Sequence, residues 1–272
     1  MYISSRKNSK TAHFRRLARE KAYREEQGEF VIEGAKLCLE AVRSGLTITA
    51  ALITEAAKEK YPEVFAAVSD IISPDIITDD ISGYISDTKT PQGVFLTAKT
   101  LDKIIETDKI YSGSFILLDG LQDAGNIGTI IRTCDALGIS GVILSKDCAD
   151  IYSPKTVRGA MGSLFRLPLF RGELTGIIER LKAAGFKVYA AALDDTAQKL
   201  SETVFSDKSA VIIGNEGNGV SAEVIRAAGE KLYIPIKNAE SLNAGVAASI
   251  ICWEMTKQQA ADKLHSAQEQ CN

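Results

Sequence analysis

Three glycine-rich segments, each following an apolar run, hold the residues best equipped for chemistry. The first is Leu118-Asp119-Gly120-Leu121-Gln122-Asp123-Ala124-Gly125-Asn126-Ile127-Gly128, which continues to Arg132. The second, Ile212-Ile213-Gly214-Asn215-Glu216-Gly217-Asn218-Gly219-Val220-Ser221, sets one carboxylate among glycines. The third, Ile234-Pro235-Ile236-Lys237-Asn238-Ala239-Glu240-Ser241-Leu242-Asn243-Ala244-Gly245, is polar and then rich in small residues. Glycine density marks sharp bends or close approach of a ligand to backbone. Guanidinium, carboxylate, amide and hydroxyl groups can orient a substrate, grip a phosphate and stabilise developing negative charge. Imidazole chemistry is excluded from the centre of the chain, because the two histidines, His13 and His265, lie near its ends. A Ser-His-Asp triad, a Cys-His pair and an HExxH zinc site are therefore ruled out. Gly120 and Gly125 have P-loop spacing, but Asn126 stands where the phosphate-binding lysine would be. No Gly-x-Gly-x-x-Gly run occurs either.

The bulk properties set the frame. The chain has 272 residues, 45% hydrophobic and 25% charged, with a formal net charge of −3, as expected for a soluble protein of one large or two smaller domains. No apolar stretch is long enough for a membrane-spanning helix, and no leader-like apolar segment opens the chain, so a cytoplasmic location is expected. Cys38, Cys134, Cys148, Cys252 and Cys271 are scattered without a CxxC pair, which argues for reduced thiols and against a disulfide framework or a zinc site. Charge is uneven. Arg6, Lys7, Lys10, Arg15, Arg16, Arg19, Lys21 and Arg24 share one stretch with Glu20 as its sole acid. That stretch reads either as a phosphate-binding arm or as a solvated amphipathic helix, since Phe14, Leu17 and Ala18 fall at helical spacing.

Elements must position these loops. Residues 1–28 form the basic arm and residues 29–98 a small α/β unit. Its expected strands are Phe30–Ile32, Ala50–Thr54, Asp70–Ile72 and Gly93–Ala98, with helices over Gly34–Ser44 and Asp79–Asp87. Residues 99–113 are charged and broken by Ser112-Gly113, a linker. Beyond it, over 114–272, strands are expected at Phe115–Leu118, Gly141–Leu144, Lys187–Ala192, Ala210–Gly214 and Leu232–Ile236. Helices are expected at Ile127–Leu137, Pro154–Leu164, Leu174–Ala184, Ala222–Ala228 and Leu242–Lys257. Short apolar strands alternating with helices predict an α/β fold with a mainly parallel sheet covered on both faces. Such sheets collect ligands at the carboxyl ends of their strands, where the three loops fall.

Together and in this order, the loops resemble the signature motifs of the SpoU/TrmH family of SPOUT RNA methyltransferases. Asn126, Gly128 and Arg132 resemble its Asn-x-Gly-x-x-x-Arg motif. Gly214, Glu216 and Gly219 resemble Gly-x-Glu-x-x-Gly, and Ile234-Pro235 with Ser241-Leu242-Asn243 resembles Ile-Pro…Ser-Leu-Asn. Ser153-Pro154-Lys155 through Arg158-Gly159-Ala160-Met161-Gly162 is similar to a connecting helix of the family, and residues 29–98 more loosely to its ribosomal-protein-like substrate domain. Ala244-Gly245 departs from the Val-Ser, and Gly159-Ala160 from the Ala-Ser, of many relatives.

The resemblance implies a SPOUT-type sheet with a C-terminal trefoil knot and S-adenosylmethionine (SAM) as methyl donor. It implies 2′-O-methylation of a ribose in RNA, with ribosomal RNA (23S above all) favoured over transfer RNA, and a homodimer without metal. On this reading Gly214, Ile234 and Leu242 hold the adenosine of SAM. Arg132 is the family's proposed activator of the ribose hydroxyl, or else a grip on the adjacent phosphate and the forming alkoxide. Asn126, Glu216, Ser241 and Asn243 orient the substrate and hold the loops. An RNA substrate favours phosphate contacts by Arg15 and Arg16, with Lys89 a further RNA-contact candidate. The rival readings are a catalytically silent RNA-binding protein of the same fold and a base methyltransferase of the same superfamily.

Overall fold

The computed structural model describes residues 1–101 and 112–269, with side chains up to Lys257. Most of the expected linker and Cys271 lie outside the described residues. The chain divides into two compact units, one of residues 1–101 and 150–166, the other of 102–149 and 167–272.

In order along the chain, the first unit contains β1 (Tyr2–Ile3), α1 (Ser9–Arg19), α2 (Lys21–Gln27), β2 (Glu29–Glu33), α3 (Ala35–Arg43) and β3 (Ile48–Thr54). It continues with α4 (Glu55–Lys60), α5 (Pro62–Ser69), β4 (Asp75–Ile77), α6 (Asp79–Ile85) and β5 (Val94–Lys99). Its five-stranded sheet has the order β1-β4-β3-β5-β2, parallel at the β1 side and antiparallel around β5. The basic stretch is built into this unit. Phe14 and Leu17 of α1 are fully buried in one core cluster with Val31, Leu52 and Phe95, so the amphipathic helix suggested by their spacing forms. The expected strand at Asp70–Ile72 is not formed; those residues close the C-terminal end of α5, and Ile71 is half exposed. The strand forms after Pro74 instead, where Asp75–Ile77 finds β3 and β1 as partners.

The segment 150–166, which lies within the 114–272 span, packs with this unit. It carries α8 (Pro154–Ala160) and α9 (Ser163–Arg166). The single helix expected over Pro154–Leu164 is interrupted at Met161, which takes φ 53° and ψ −150° and cannot continue a right-handed helix. Arg24 of α2, only 6% exposed, anchors the segment. Its Nε donates to Asp150 Oδ2 at 2.7 Å, and its Nη1 donates to the Leu17 carbonyl.

The second unit contains β6 (Gly113–Leu118), α7 (Ala124–Leu137), β7 (Gly141–Ser145), β8 (Leu169–Gly172), α10 (Leu174–Ala183) and β9 (Lys187–Ala191). It continues with β10 (Gln198–Lys199), a 3-10 turn over Leu200–Glu202, β11 (Lys208–Ile213), α11 (Ala222–Ala228), β12 (Glu230–Tyr233) and α12 (Ala244–Glu269). Its seven strands run in the order β10-β12-β9-β11-β6-β7-β8, every pairing parallel. The mainly parallel sheet expected from the apolar strand runs is therefore present. Phe115, Leu117, Ile143, Val188 and Ile212 form one face of its core against α10 and α11. On the other face α7 packs against α12, where the buried Cys134 and Cys252 thiols lie 3.8 Å apart. The four described cysteines are free and buried. Among the described residues, no helix is long and apolar enough to cross a membrane.

Candidate active site

β6, β11 and β12 are parallel members of one sheet, so the three glycine-rich segments leave it at the same edge. The first turns at Gly120 (φ +64°) and enters α7 through Asp123, whose Oδ1 accepts from the amides of Gly125 at 2.6 Å and Asn126 at 2.9 Å. That N-cap starts the helix three residues before the expected Ile127. The second makes a tight ring: Asn215 and Gly219 exchange both backbone hydrogen bonds at 2.9 Å. A Cβ at Gly214 would lie 2.1 Å from the Gly219 carbonyl carbon and the Val220 nitrogen, so only glycine fits. The third leaves the sheet after Tyr233, and Asn243 caps α12 by accepting from Gly245 N at 2.9 Å and Val246 N at 3.2 Å.

Side chains from all three segments meet. Glu216 accepts from Gln122 N at 3.1 Å, Asp123 N at 3.0 Å and Asn126 Nδ2 at 3.0 Å. Asn126 Oδ1 in turn accepts from Asn243 Nδ2 at 2.9 Å. The Glu216–Asn126–Asn243 chain thus ties the first segment to the other two. Desolvation pushes the Glu216 carboxyl upward, but the Asp123 and Gln122 amides and Asn126 outweigh it, so its pKa lies below the ordinary value. The side chain is a carboxylate at neutral pH and acts as an acceptor, not as a proton donor.

This has a measurable consequence. A group with a depressed folded pKa contributes stability above its unfolded pKa, and loses it as pH falls through the folded pKa. Glu216→Gln places an amide where three N–H groups converge, and it should cost about 1 kcal/mol at pH 7. In urea unfolding, the gap between wild type and variant should stay constant from pH 8 to about 5 and then shrink in more acidic solution. A gap that widens in acid would contradict the assignment.

Two adjoining hollows open beside the cluster. One, of about 150 Å³, is apolar, with Ala191, Leu232, Ile234, Ile236, Leu242 and Ile251 in its walls. The other, of about 520 Å³, is lined by Gly214, Glu216, Gly219, Ser241, Leu242 and Asn243 among others. Ala191, Glu240, Ser241, Leu242 and Ala247 border both. An apolar slot next to a polar, carboxylate-bearing chamber fits a purine nucleoside joined to a cationic tail, the shape and charge of SAM.

The sequence-derived residues divide into two sets. Gly214, Glu216, Ile234, Ser241, Leu242 and Asn243 line the hollows, and Asn126 joins them by hydrogen bond. Arg132 does not join them: it is exposed on α7 and makes no hydrogen bond or ion pair with any described residue. In the first unit, Arg15 stacks over the Tyr84 ring at 4.5 Å and donates to the Tyr84 carbonyl. Arg16 lies 3.7 Å from the Tyr23 ring centroid and pairs with Glu20. Lys89 is exposed without a partner among the described residues. Sequence reasoning missed Asp123 and Asn215, whose side chains shape the loops. Asp123 stands one residue before a helix and could have been found as an N-cap. The signal for Asn215, whose Nδ2 donates to the Gly120 carbonyl at 2.8 Å, is only a long-range contact.

The fold and site are those of a parallel α/β protein whose three strand-end loops, tied by one hydrogen-bond chain, border a hollow with room for a nucleoside. Comparison with known proteins narrows this. The SpoU rRNA Methylase family matches residues 113–253, and the MRM3-like substrate binding domain matches residues 8–96. The chain is 34% identical to the 23S rRNA (guanosine(2553)-2′-O)-methyltransferase RlmP of Bacillus subtilis, covering 93% of this chain and 98% of that one. It is similar to the crystal structure of an AdoMet-bound rRNA methyltransferase from Sinorhizobium meliloti, with TM-score 0.85 and 29% identity over 95% of this chain and 98% of that one. The SpoU methyltransferase AviRb from Streptomyces viridochromogenes, solved with AdoMet, gives TM-score 0.82 and 26% identity over 93% of this chain and 99% of that one. The chain belongs to the SpoU rRNA methylase family.

Proposed function

We propose that this chain transfers a methyl group from SAM to a ribose 2′-hydroxyl of RNA, with 23S rRNA as substrate. The observation that carries the reading is the Glu216–Asn126–Asn243 chain at the rim of the paired hollows, which fixes three loops around one reaction space. The relatives' names point the same way. Bound there, SAM would supply an electrophilic methyl group on its sulfonium, the methyl–sulfur bond breaking as the ribose oxygen takes the methyl and the neutral thioether leaving. Ile234 and Leu242 wall the adenosine, Gly214 lets backbone approach it, and Glu216 keeps the loops in register. Ser241, exposed at the rim, hydrogen-bonds the substrate. Arg132 grips the neighbouring phosphate and stabilises the forming alkoxide by charge, while the hydroxyl proton leaves to water.

The same reading includes a trefoil knot in the C-terminal part of the chain, RNA contact through the first unit (Arg15, Arg16 and Lys89 among its basic groups) and action in the cytoplasm. It also includes a homodimer. Val246, Ile250 and Trp253 lie on one face of α12 at helical spacing and are 48%, 36% and 57% exposed, an apolar stripe suited to a second copy. Trp253→Glu should convert the dimer into a monomer by light scattering; a wild-type chain that is monomeric in solution would sink the dimer.

Incubation with radiolabelled SAM and unmodified total RNA, followed by separation of large rRNA, small rRNA and tRNA, tests the substrate. Label in large rRNA alone is expected. Label in tRNA would move the substrate, and RNA retention without any label would favour a silent binder.

A further inference from the structure

The apolar and polar hollows of the second unit meet along Ala191, Glu240, Ser241, Leu242 and Ala247. Most polar side chains that border them already have partners. Glu216 accepts from three N–H groups. Asn243 gives its Nδ2 to Asn126 and takes the Gly245 and Val246 amides on Oδ1. Asn215 gives its Nδ2 to the Gly120 carbonyl and takes the Gly217 and Asn218 amides on Oδ1. These three side chains hold the loops. Tyr233 borders the apolar hollow alone, whereas Glu240 and Ser241 border both. Glu240 is exposed and makes no hydrogen bond or ion pair with any described residue.

A place at the junction decides which part of the cofactor a side chain can meet. With adenine in the apolar slot and the methionine tail in the wider chamber, the ribose of SAM falls between them. That sugar presents two hydroxyls on neighbouring carbons, both able to donate. Among the described residues bordering both hollows, Glu240 brings the one carboxylate, with two acceptor oxygens for two donors. Hydrogen bonds to an ionised acceptor are stronger than those between neutral groups, which favours Glu240 over the Ser241 hydroxyl. Dinucleotide-binding α/β folds meet the same chemical group with an acidic side chain at a strand end.

We propose that Glu240 binds the cofactor's own ribose, its carboxylate accepting from the 2′- and 3′-hydroxyls, and so selects a ribonucleoside cofactor. The proposal rests on the SAM reading above and adds a binding residue outside the three loop motifs, in the interval between Ile234-Pro235 and Ser241-Leu242-Asn243.

The test is calorimetric titration of the full chain with SAM, S-adenosylhomocysteine and the 2′-deoxy and 3′-deoxy forms of S-adenosylhomocysteine. Wild type should bind each deoxy form about tenfold more weakly than S-adenosylhomocysteine. Glu240→Ala should bind S-adenosylhomocysteine at least about tenfold more weakly than wild type does, and the deoxy forms within about twofold of that value. SAM should lose as much as S-adenosylhomocysteine, because both carry the hydroxyls. The thermal midpoint of the ligand-free variant should stay at the wild-type value, since Glu240 has no native partner among the described residues. Discrimination against the deoxy forms that survives in Glu240→Ala would overturn the proposal and leave the SAM reading standing. So would a loss confined to SAM, which would put the carboxylate on the sulfonium instead. Failure of the wild-type chain to bind SAM or S-adenosylhomocysteine would remove the SAM reading and the role of Glu240 with it.

Discussion

Arg132→Ala is expected to lower single-turnover methyl transfer by about 10²–10³-fold while SAM affinity and thermal stability stay at wild-type values. The structural grounds are unusually clean. Arg132 is exposed on α7 and has no partner among the described residues, so its removal breaks no native contact. It lines neither hollow beside the glycine-rich loops, so cofactor affinity should not register its loss. Any large effect must then come from substrate and transition state. Arg132→Lys separates the two roles open to the residue. A point charge in place of the planar fork should recover part of the rate if charge stabilisation dominates. A rate within tenfold of wild type in Arg132→Ala would remove Arg132 from the chemistry.

Arg24→Ala should be the most damaging single change to folding, costing about 3–5 kcal/mol. The guanidinium is 6% exposed and holds both Asp150 and the Leu17 carbonyl, so truncation leaves a carboxylate, itself only 12% exposed, without its cation. The effect should fall on the first unit, to which both residues belong. Urea unfolding followed by limited proteolysis should show early cleavage within 1–101 or 150–166 and later cleavage elsewhere. A midpoint equal to wild type would show that the pair contributes no net stability. This arginine sits in the stretch that reads in sequence as a phosphate-binding arm, so net charge alone misjudges it.

What sequence revealed follows the range of the interactions involved. α11 forms over the expected Ala222–Ala228 and its end is set locally by Gly229 at φ +84°, while Ser221 stands at its N-cap without a side-chain capping bond. The three glycine-rich segments were legible for a related reason. Gly214 is required by backbone only a few residues away, and such requirements leave a pattern in sequence. The misplaced strand at Asp70–Ile72 shows the opposite case. Two apolar neighbours resemble a strand there, but the choice is made by partners β1 and β3, distant in the chain. The break at Met161 and the packing of 150–166 with the first unit are equally non-local, set by contacts such as Arg24–Asp150 and Arg166–Glu40. Order within the parallel sheet, with β12 beside β9, lies beyond periodicity for the same reason.

Within the site, residue types were legible and connections were not. The cluster of Glu216, Asn126 and Asn243 joins positions 90 and 117 apart in the chain. Sequence patterns can nominate such residues, but a hydrogen-bond network appears only once the sheet brings the strand ends together. Asp123 and Asn215 went unnoticed because their partners are backbone groups, which are present at every position.

Ribose oxygen and base differ as methyl acceptors in a way that alkali reveals. Large rRNA labelled by the wild-type chain with radiolabelled SAM should be hydrolysed completely in alkali and the products separated by charge. A 2′-O-methyl blocks cleavage at its own phosphodiester, so ribose methylation should put the label in an alkali-resistant dinucleotide, with that fraction reduced at least about 100-fold in Arg132→Ala at the same early time. Label recovered in mononucleotides would put the methyl group on a base and rule out ribose methylation.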